Sequence, residues 1–415
     1  MYFGGANMFE ENGMYYLVGE GKKVGGISGC FNFYRSLDLS TWTNLGCLLN
    51  ITDIIVPPPF DNSTYRRGFG HGLRMERPKL FKCPSAAPGS PAYRLVFHCD
   101  TRNFDLRSIG LLVAEHVEGP YVQRVPCFKP DGEDSYDMGT FVDDPARGGD
   151  GKVYLIRSVR NQYAGISAFD QNCMNTTGIV SHGPSIEGQA LMRAGGGGGG
   201  AQKRRRRTPT TLFVAGSHLT GWSPNAAVFG STTSQNLPGA QWPAITQYNP
   251  SGNPTTWNTQ SSFIFPFVHA DSTQTFVWMA DRWNMGGTEV LPGGLDNWTS
   301  VWLPLVPPQS NASSGGSIPQ PGWELHLANC EVGDDPHQQF TLAQGRVMHY
   351  GSRLCVEARK PGSVLTLAKC NESSSATQHW VEGANGSISN DVEVSTDQHG
   401  CIAWVRMQRH FTLCI

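Results

Sequence analysis

Apolar and β-branched residues along this chain come in short runs broken by Gly, Pro, Asn and Asp, and no stretch shows the spacing of an amphipathic helix. The clearest runs are 13–20 (GMYYLVGE), 92–98 (AYRLVFH), 152–156 (KVYLI), 212–216 (LFVAG) and 275–280 (TFVWMA). Each reads as a strand. With allowance for insertions they recur at blade-like intervals, since a four-stranded blade takes roughly 40 to 50 residues. Residues 1–308 are therefore expected to form a five-bladed β-propeller. Residues 309–321, rich in Ser, Gly, Pro and Asn, read as a linker. Beyond them, 322–415 change character and read as a separate small β domain. The fold class expected is all-β throughout.

Composition supports this and narrows the function. Charged residues make up 16% of the chain, while 49 Gly, 11 Trp and 20 Phe suit short strands, turns and aromatic sugar platforms. A net charge of -2 gives no reason to expect nucleic acid or an anionic membrane as partner. No run approaches the ~18 apolar residues of a membrane span. The chain has 11 cysteines. N-x-S/T sequons stand at Asn50, Asn62, Asn175, Asn297, Asn311, Asn371 and Asn385. Together these favour a glycoprotein of the secretory pathway, in the Golgi or outside the cell, over a Ser/Thr/Asn-rich cytosolic protein. Met1 opens directly on strand-like sequence with no leader, so the true N-terminus is expected to lie upstream. Gly195 to Gly200 and the basic run Lys203 to Arg207 read as an insertion in a hairpin loop, because strand-like sequence resumes at Thr211. A basic patch for localisation or heparin is the alternative.

The candidate chemistry lies in carboxylates. Glu76, Asp137 and Glu187 stand at the ends of separate strand-like segments, roughly fifty to sixty residues apart. A propeller would bring one from each of three blades to a central hollow, each from an innermost strand. Carboxyl groups converging on one sugar are what glycosidic cleavage requires. Pro78 cannot donate to a ladder, so the strand carrying Glu76 is expected to begin there. The plainer alternatives are an exposed loop Glu for Glu187 and a turn cap for Asp137. Asp143 and Asp144, followed by Pro145 and two glycines, are better read as hairpin residues. The scattered histidines His71, His98, His218 and His269 suggest polar or core positions rather than a metal site, and no cofactor is expected.

The ordered set of motifs resembles glycoside hydrolase family 43, in its exo-β-1,3-galactanase branch, over about three quarters of the chain. The pieces are Tyr15 to Glu20, Glu76-Arg77-Pro78-Lys79, Ser135 to Asp144, Glu187 to Leu191, Ser217 to Asn225, Thr259 to Ser262 and Asp281 to Asn284. The resemblance implies that Glu187 is the general acid, that Asp137 tunes it, and that Glu76 and Glu20 bind sugar hydroxyls. A solvent-facing strand end remains open for Glu20. Asn161 and Thr220 resemble sugar-binding positions, and Trp222 would stack on a pyranose unless it is core. Most of the family carries its base as an Asp near the start of blade one. No Asp precedes Gly4 here. The galactanase branch instead places a Gln near the attacking water, and Gln260 matches it. Gln260 would orient water or act through a rarer tautomer, unless it is an ordinary strand residue. Phe104 stands where relatives tend to have a Tyr.

Residues 322–415 resemble a ricin-type β-trefoil of which fragments of the repeats survive. The cues are Gln338-Gln339-Phe340, Gln378-His379-Trp380 and a Cys355–Cys370 pair implied within one lobe. A plain β-sandwich appendage is the alternative. The expected activity is release of galactose from β-1,3-galactan, as in arabinogalactan-type glycans, with inversion, by a monomer. Alternatives are a catalytically inactive sugar-binding propeller, and an arabinofuranosidase or xylosidase on the same fold.

Overall fold

The computed structural model describes residues 4–23, 27–39, 41–61, 72–87, 89–194, 210–221, 223, 225–232, 234–242, 254–256, 258–268, 274–282, 285–286, 289–290 and 299–305, and beyond these 339–343, 346–349, 355–357, 366–370, 378, 380–382, 388–390 and 411–412. The chain divides into two compact units, Met1–Glu324 and Leu325–Ile415.

The first unit is a five-bladed β-propeller. Blade one runs β1 (Gly4–Glu11), β2 (Met14–Lys23), β3 (Ile27–Ser36) and β4 (Thr43–Asn50). Blade two has β5 (Leu73–Lys82), β6 (Tyr93–Thr101), β7 (Ser108–Ala114) and β8 (Val122–Gln123). Blade three has β9 (Ser135–Val142), β10 (Val153–Val159), β11 (Tyr163–Phe169) and β12 (Thr176–His182). Blade four pairs β13 (Glu187–Ala194), β14 (Thr211–Ser217) and β15 (Val228–Thr232). Blade five pairs β16 (Thr259–Val268), β17 (Gln274–Arg282) and β20 (Thr299–Leu305), with the small hairpin β18 (Met285–Gly286) and β19 (Glu289–Val290) between the last two in sequence. Neighbouring strands within each blade are antiparallel. The first strand of each blade meets the first strand of the next, β1 to β5, β9, β13, β16 and back to β1, so the ring closes.

The five apolar runs form β2, β6, β10, β14 and β17, the second strand of every blade. The reason is packing. A second strand is sandwiched between neighbouring blades, so both its faces are covered, and every residue of β6 and β10 is buried. Blades meet through separate apolar layers. Val18 and Phe31 meet Leu95 and Phe97 between blades one and two. Phe81 and Leu111 meet Leu155 and Phe169 between two and three. Tyr154 and Ile166 meet Leu191 and Val214 between three and four, and Leu17 meets Phe265 and Met279 between one and five. Each such side chain contributes about 1.5–3 kcal/mol relative to exposure.

Polar closures complete the ring. Asp281 on β17 accepts the Gly5 N–H with both oxygens, at 2.8 and 2.9 Å, joining blade five to blade one. Leu80 N–H donates to Asn7 Oδ1 at 2.8 Å. Asp143 and Asp144 are hairpin residues, as the sequence suggested: Asp144 caps the turn by accepting from Ala146 N. Asp143 does more, because it is buried and takes both Arg193 nitrogens at 2.7 and 2.8 Å, tying blade three to blade four.

Disulfides join Cys30 to Cys47, Cys83 to Cys173, Cys99 to Cys127 and Cys355 to Cys370, which fits an oxidising, secreted setting. Cys83–Cys173 spans 90 residues and links blades two and three. Replacing both with Ala should cost about 2–4 kcal/mol, read as a lower urea midpoint for the propeller. An unchanged midpoint would show that the interblade layers alone set this stability.

Residues 195–209 and the sequons at Asn62, Asn297, Asn311, Asn371 and Asn385 lie outside the described residues. β13 and β14 flank that glycine-rich and basic insertion as antiparallel neighbours, with Ala194 opposite Thr211. In the second unit β21 (Gln339–Ala343), β22 (Arg346–His349), β23 (Cys355–Glu357), β24 (Thr366–Ala368) and β27 (Phe411–Thr412) form one sheet. β25 (Trp380–Glu382) and β26 (Ile388–Asn390) form a hairpin.

Candidate active site

Every innermost strand breaks its ladder at the same level. Register shifts fall between Gly4 and Asn7 on β1, Glu76 and Lys79 on β5, Glu187 and Ala190 on β13, and Ser261 and Phe263 on β16. On β9 the pairing skips from Met138 to Ser135. Such bulges re-aim side chains, and on β5, β9, β13 and β16 they lie beside Glu76, Asp137, Glu187 and Gln260, which line the hub. The strand carrying Glu76 starts earlier than expected, at Leu73, because Pro78 falls inside the bulge, where no ladder donor is needed. Glu20 departs from the innermost-strand pattern: it sits on β2, opposite Gly4.

The hollow at the hub has a volume of about 390 Å³. Glu76, Asp137 and Glu187, from blades two, three and four, line it together. Glu20, Asn161, Gln260, Arg77, His98, Phe104, Tyr136, Gly221 and Asp281 complete the wall. Of the other expected sugar contacts, Thr220 is exposed and its hydroxyl is engaged locally, donating to Ser223 O and accepting from Asn225 Nδ2, both at 2.6 Å. Trp222 lies outside the described residues. Asn161 sits at a left-handed turn, φ 53, where its amide oxygen accepts from Ser158 Oγ at 3.0 Å.

Arg77 is the cation at the centre, and its role had no signal in the sequence beyond its place after Glu76. It takes φ 53 within the β5 bulge. Its N–H donates to Glu20 Oε1 at 2.8 Å, its Nε to Asp137 Oδ1 at 2.7 Å, and its Nη1 to Ser261 O at 2.9 Å. Its Nη2 donates to Gln260 Oε1. Burial opposes the charge on Arg77, but the nearby Asp137, Asp281 and Glu20 outweigh it and hold the guanidinium charged. Asp281, fully buried, is pushed up by desolvation despite Arg77. Lys79, equally buried, is pushed down by desolvation and by Arg77, and its Nζ donates to Gly5 O at 2.8 Å.

Glu187 is the odd carboxyl among these. Burial first, and the charge of Asp137 second, push it up to about 8, against the lowering effect of Arg77 and of hydrogen bonds from Gln260 and the Thr220 backbone. Gln260 Nε2 donates to Glu187 Oε1 at 3.2 Å and to Ser217 Oγ at 2.9 Å. Asp137 Oδ2 accepts from Gly188 N at 3.1 Å, so it is held between Arg77 and the backbone next to Glu187. A carboxyl that stays protonated near neutrality beside a fixed carboxylate is chemically a proton donor.

Glu76 is held from the other side. Arg74 Nη1 donates to it at 2.9 Å, and His98 Nδ1 lies 3.4 Å from its second oxygen. His98 was expected to be a polar or core residue; it is buried, and its Nε2 contacts Asp100 Oδ2 at 3.0 Å. Burial works against its charge, but Asp100 and Glu76 outweigh this and push it up to about 9. Phe104 stacks on the His98 ring at 6.2 Å, with the Arg74 guanidinium 4.6 Å from its own centroid. That position therefore supports the Glu76 partners with an apolar face.

No family model matches the chain, and no curated protein matches it. Solved structures do. An exo-β-1,3-galactanase from Phanerochaete chrysosporium, in complex with β-1,3-galactotriose, matches at 24% identity and a TM-score of 0.55 over 73% of this chain and 60% of its own. An exo-β-1,3-galactanase from Clostridium thermocellum matches at 18% identity and a TM-score of 0.59 over 92% of this chain and 75% of its own. A family 43 β-1,3-galactosidase with galactodeoxynojirimycin matches at 21% identity and a TM-score of 0.54, over 74% and 91%. The chain has the fold of the exo-β-1,3-galactanases. It spans about three fifths of the fungal enzyme's length. Within the exo-galactanase fold, the residues that sequence reasoning missed are Arg77, Asp281, Tyr136 and His98. Arg77 and Asp281 stood inside quoted motifs; what hid them was that their partners lie 60 to 276 residues away.

Proposed function

We propose that this protein is an inverting glycoside hydrolase that releases galactose from the ends of β-1,3-galactan, as found in arabinogalactan-type glycans. The observation carrying this reading is Glu187, kept protonated to about pH 8 in a hollow it shares with Asp137, Glu76 and Gln260. Glu187 gives its proton to the departing glycosidic oxygen. Asp137, fixed by Arg77 and Gly188, supplies the negative charge that keeps that proton in place. Gln260 orients the attacking water through its amide; an amide is no base, so the proton that this water loses on bonding to the anomeric carbon passes to solvent in the hollow. Glu76 and Glu20 accept hydrogen bonds from sugar hydroxyls, Asn161 lines the same hollow, and Thr220 reaches Glu187 through its backbone. The likeness to structures holding galactotriose and galactodeoxynojirimycin supports galactose as the bound sugar.

The protein acts as a monomer in the secretory pathway, with the sequons at Asn50 and Asn175 on exposed positions available for glycans. Residues 322–415 form a ricin-type trefoil-like domain; the Cys355–Cys370 disulfide and the short strands support this fold.

The test is incubation with β-1,3-galactobiose and reduced β-1,3-galactan, following free galactose and its first anomer by NMR. Initial α-galactose is expected. Initial β-galactose would exclude inversion, and no galactose from either substrate would leave a sugar-binding propeller.

A further inference from the structure

We propose that Arg77 is the positioning residue of this site: its guanidinium fixes the Gln260 side chain with oxygen toward the cation and nitrogen toward Glu187, and so biases which Glu187 oxygen carries the proton to be transferred. This rests on the reading of Glu187 as the acid and adds to it a cause for the acid's orientation.

The argument is one of donors and acceptors. A guanidinium only donates. Arg77 Nη2 points at Gln260, so the atom facing it must be the carbonyl oxygen. A flipped amide would set two donors against each other in a buried place, which is costly. The flip therefore has one answer. Its consequence is that Nε2 turns the other way, where Glu187 Oε1 and Ser217 Oγ accept its two hydrogens at 3.2 and 2.9 Å. With Oε1 accepting this N–H, Gln260 biases the proton of the neutral carboxyl toward Oε2, alongside the hydrogen bond that the Thr220 backbone gives the same carboxyl.

The same pattern bears on the chemical form of Gln260. An imidic acid would keep only one N–H for the two acceptors Glu187 Oε1 and Ser217 Oγ. The surroundings select the ordinary amide. Water is then oriented by the second lone pair of Oε1, while Arg77 occupies the first.

Arg77 is itself held at several points. Its main chain is in the left-handed region and its N–H is held by Glu20. Its Nε is held by Asp137 and its Nη1 by Ser261 O. One planar fork thus spans the acid's charged neighbour and the acid's hydrogen-bond donor. A lysine keeps the charge among these carboxylates but cannot make the three side-chain contacts at once.

The test compares R77K, Q260A and the double variant on β-1,3-galactobiose, with an infrared titration of the Glu187 carbonyl band, identified by its loss in E187Q. R77K should lose about 10²-fold in kcat with KM within about threefold. The double variant should be little slower than Q260A alone, because both changes break one unit. The Glu187 band should shift in R77K in the same direction as in Q260A. Wild-type kcat in R77K, or losses that multiply, would overturn the inference. Should wild type release no galactose, the hydrolase reading fails, and the infrared band still decides: no shift in R77K overturns the role of Arg77. Should R77K not fold, Gln260→Glu answers instead. Arg77 would hold one oxygen, and the other would face Glu187 and share its proton, moving the high-pH limb, and the band's titration, upward; an unmoved titration would overturn the proposal.

Discussion

Glu187→Gln should cut galactose release by about 10³-fold without unfolding the protein. The amide keeps the size of the side chain but has no proton to give to a leaving oxygen. Burial, followed by the charge of Asp137, holds the Glu187 carboxyl up to about 8. The acid must be protonated to act, so wild-type kcat/KM should fall as pH rises through about 8. The residual rate of E187Q should lack that limb. A second consequence concerns stability. The folded state keeps a proton that the unfolded chain releases near the ordinary value of 4.5. Stability therefore drops as pH rises above that value toward about 8, because the native state binds more protons than the unfolded one. E187Q has nothing to ionise there. Other buried groups titrate in both proteins, so the test is the difference: from about pH 5 to 8 the melting temperature of wild type should fall more steeply than that of E187Q. A wild-type curve parallel to that of E187Q would show that Glu187 is ionised throughout, and the proton donor would have to be sought elsewhere.

Gly188→Ala should be the most damaging change outside the carboxylates. Gly188 has φ +59, and an added Cβ would sit 2.8 Å from both Gln260 Cγ and Ser261 O. A left-handed alanine costs about 1–2 kcal/mol by itself. The greater effect is displacement: Gln260 must yield, and a shift of about 1 Å at a reacting centre costs on the order of 10²-fold in rate. Gly13→Ala and Gly89→Ala separate the two terms. Both glycines have positive φ, +79 and +78, yet nothing lies within 4 Å of the added carbon. They should show the stability loss by thermal melting and keep the wild-type rate. Equal rates in G188A and G13A would mean that Gln260 does not need its present place.

The two predictions draw on different layers of information. Glu187, Asp137 and Glu76 could be singled out along the chain because each stands near the end of a strand-like segment, roughly fifty to sixty residues from the next. The five apolar runs were equally plain, since a strand covered by blades on both sides has no polar face to alternate with. Arg77 could not be weighted this way. Buried arginines and exposed ones look alike in sequence, and its partners Asp137 and Gln260 lie 60 and 183 residues downstream. Pro78 misled for a related reason. Proline excludes a ladder hydrogen bond, which is equally true at a strand's first residue and inside a bulge, so the strand began at Leu73 rather than at the proline. His98 read as one histidine among several, and became part of the wall only when Asp100 and Glu76 closed on its two nitrogens.

Periodicity and turn chemistry, which act over a few residues, determined the all-β class, the number of blades and the carboxylates worth testing. The closing of the ring through Gly5 and Asp281, the bulges beside Glu76, Asp137, Glu187 and Gln260, and the hydrogen-bond chain from Arg77 through Gln260 to Glu187 were decided by tertiary structure alone. The physical reason is that burial and opposing charge set which carboxyl keeps its proton, and both are properties of neighbours that meet only when the blades assemble.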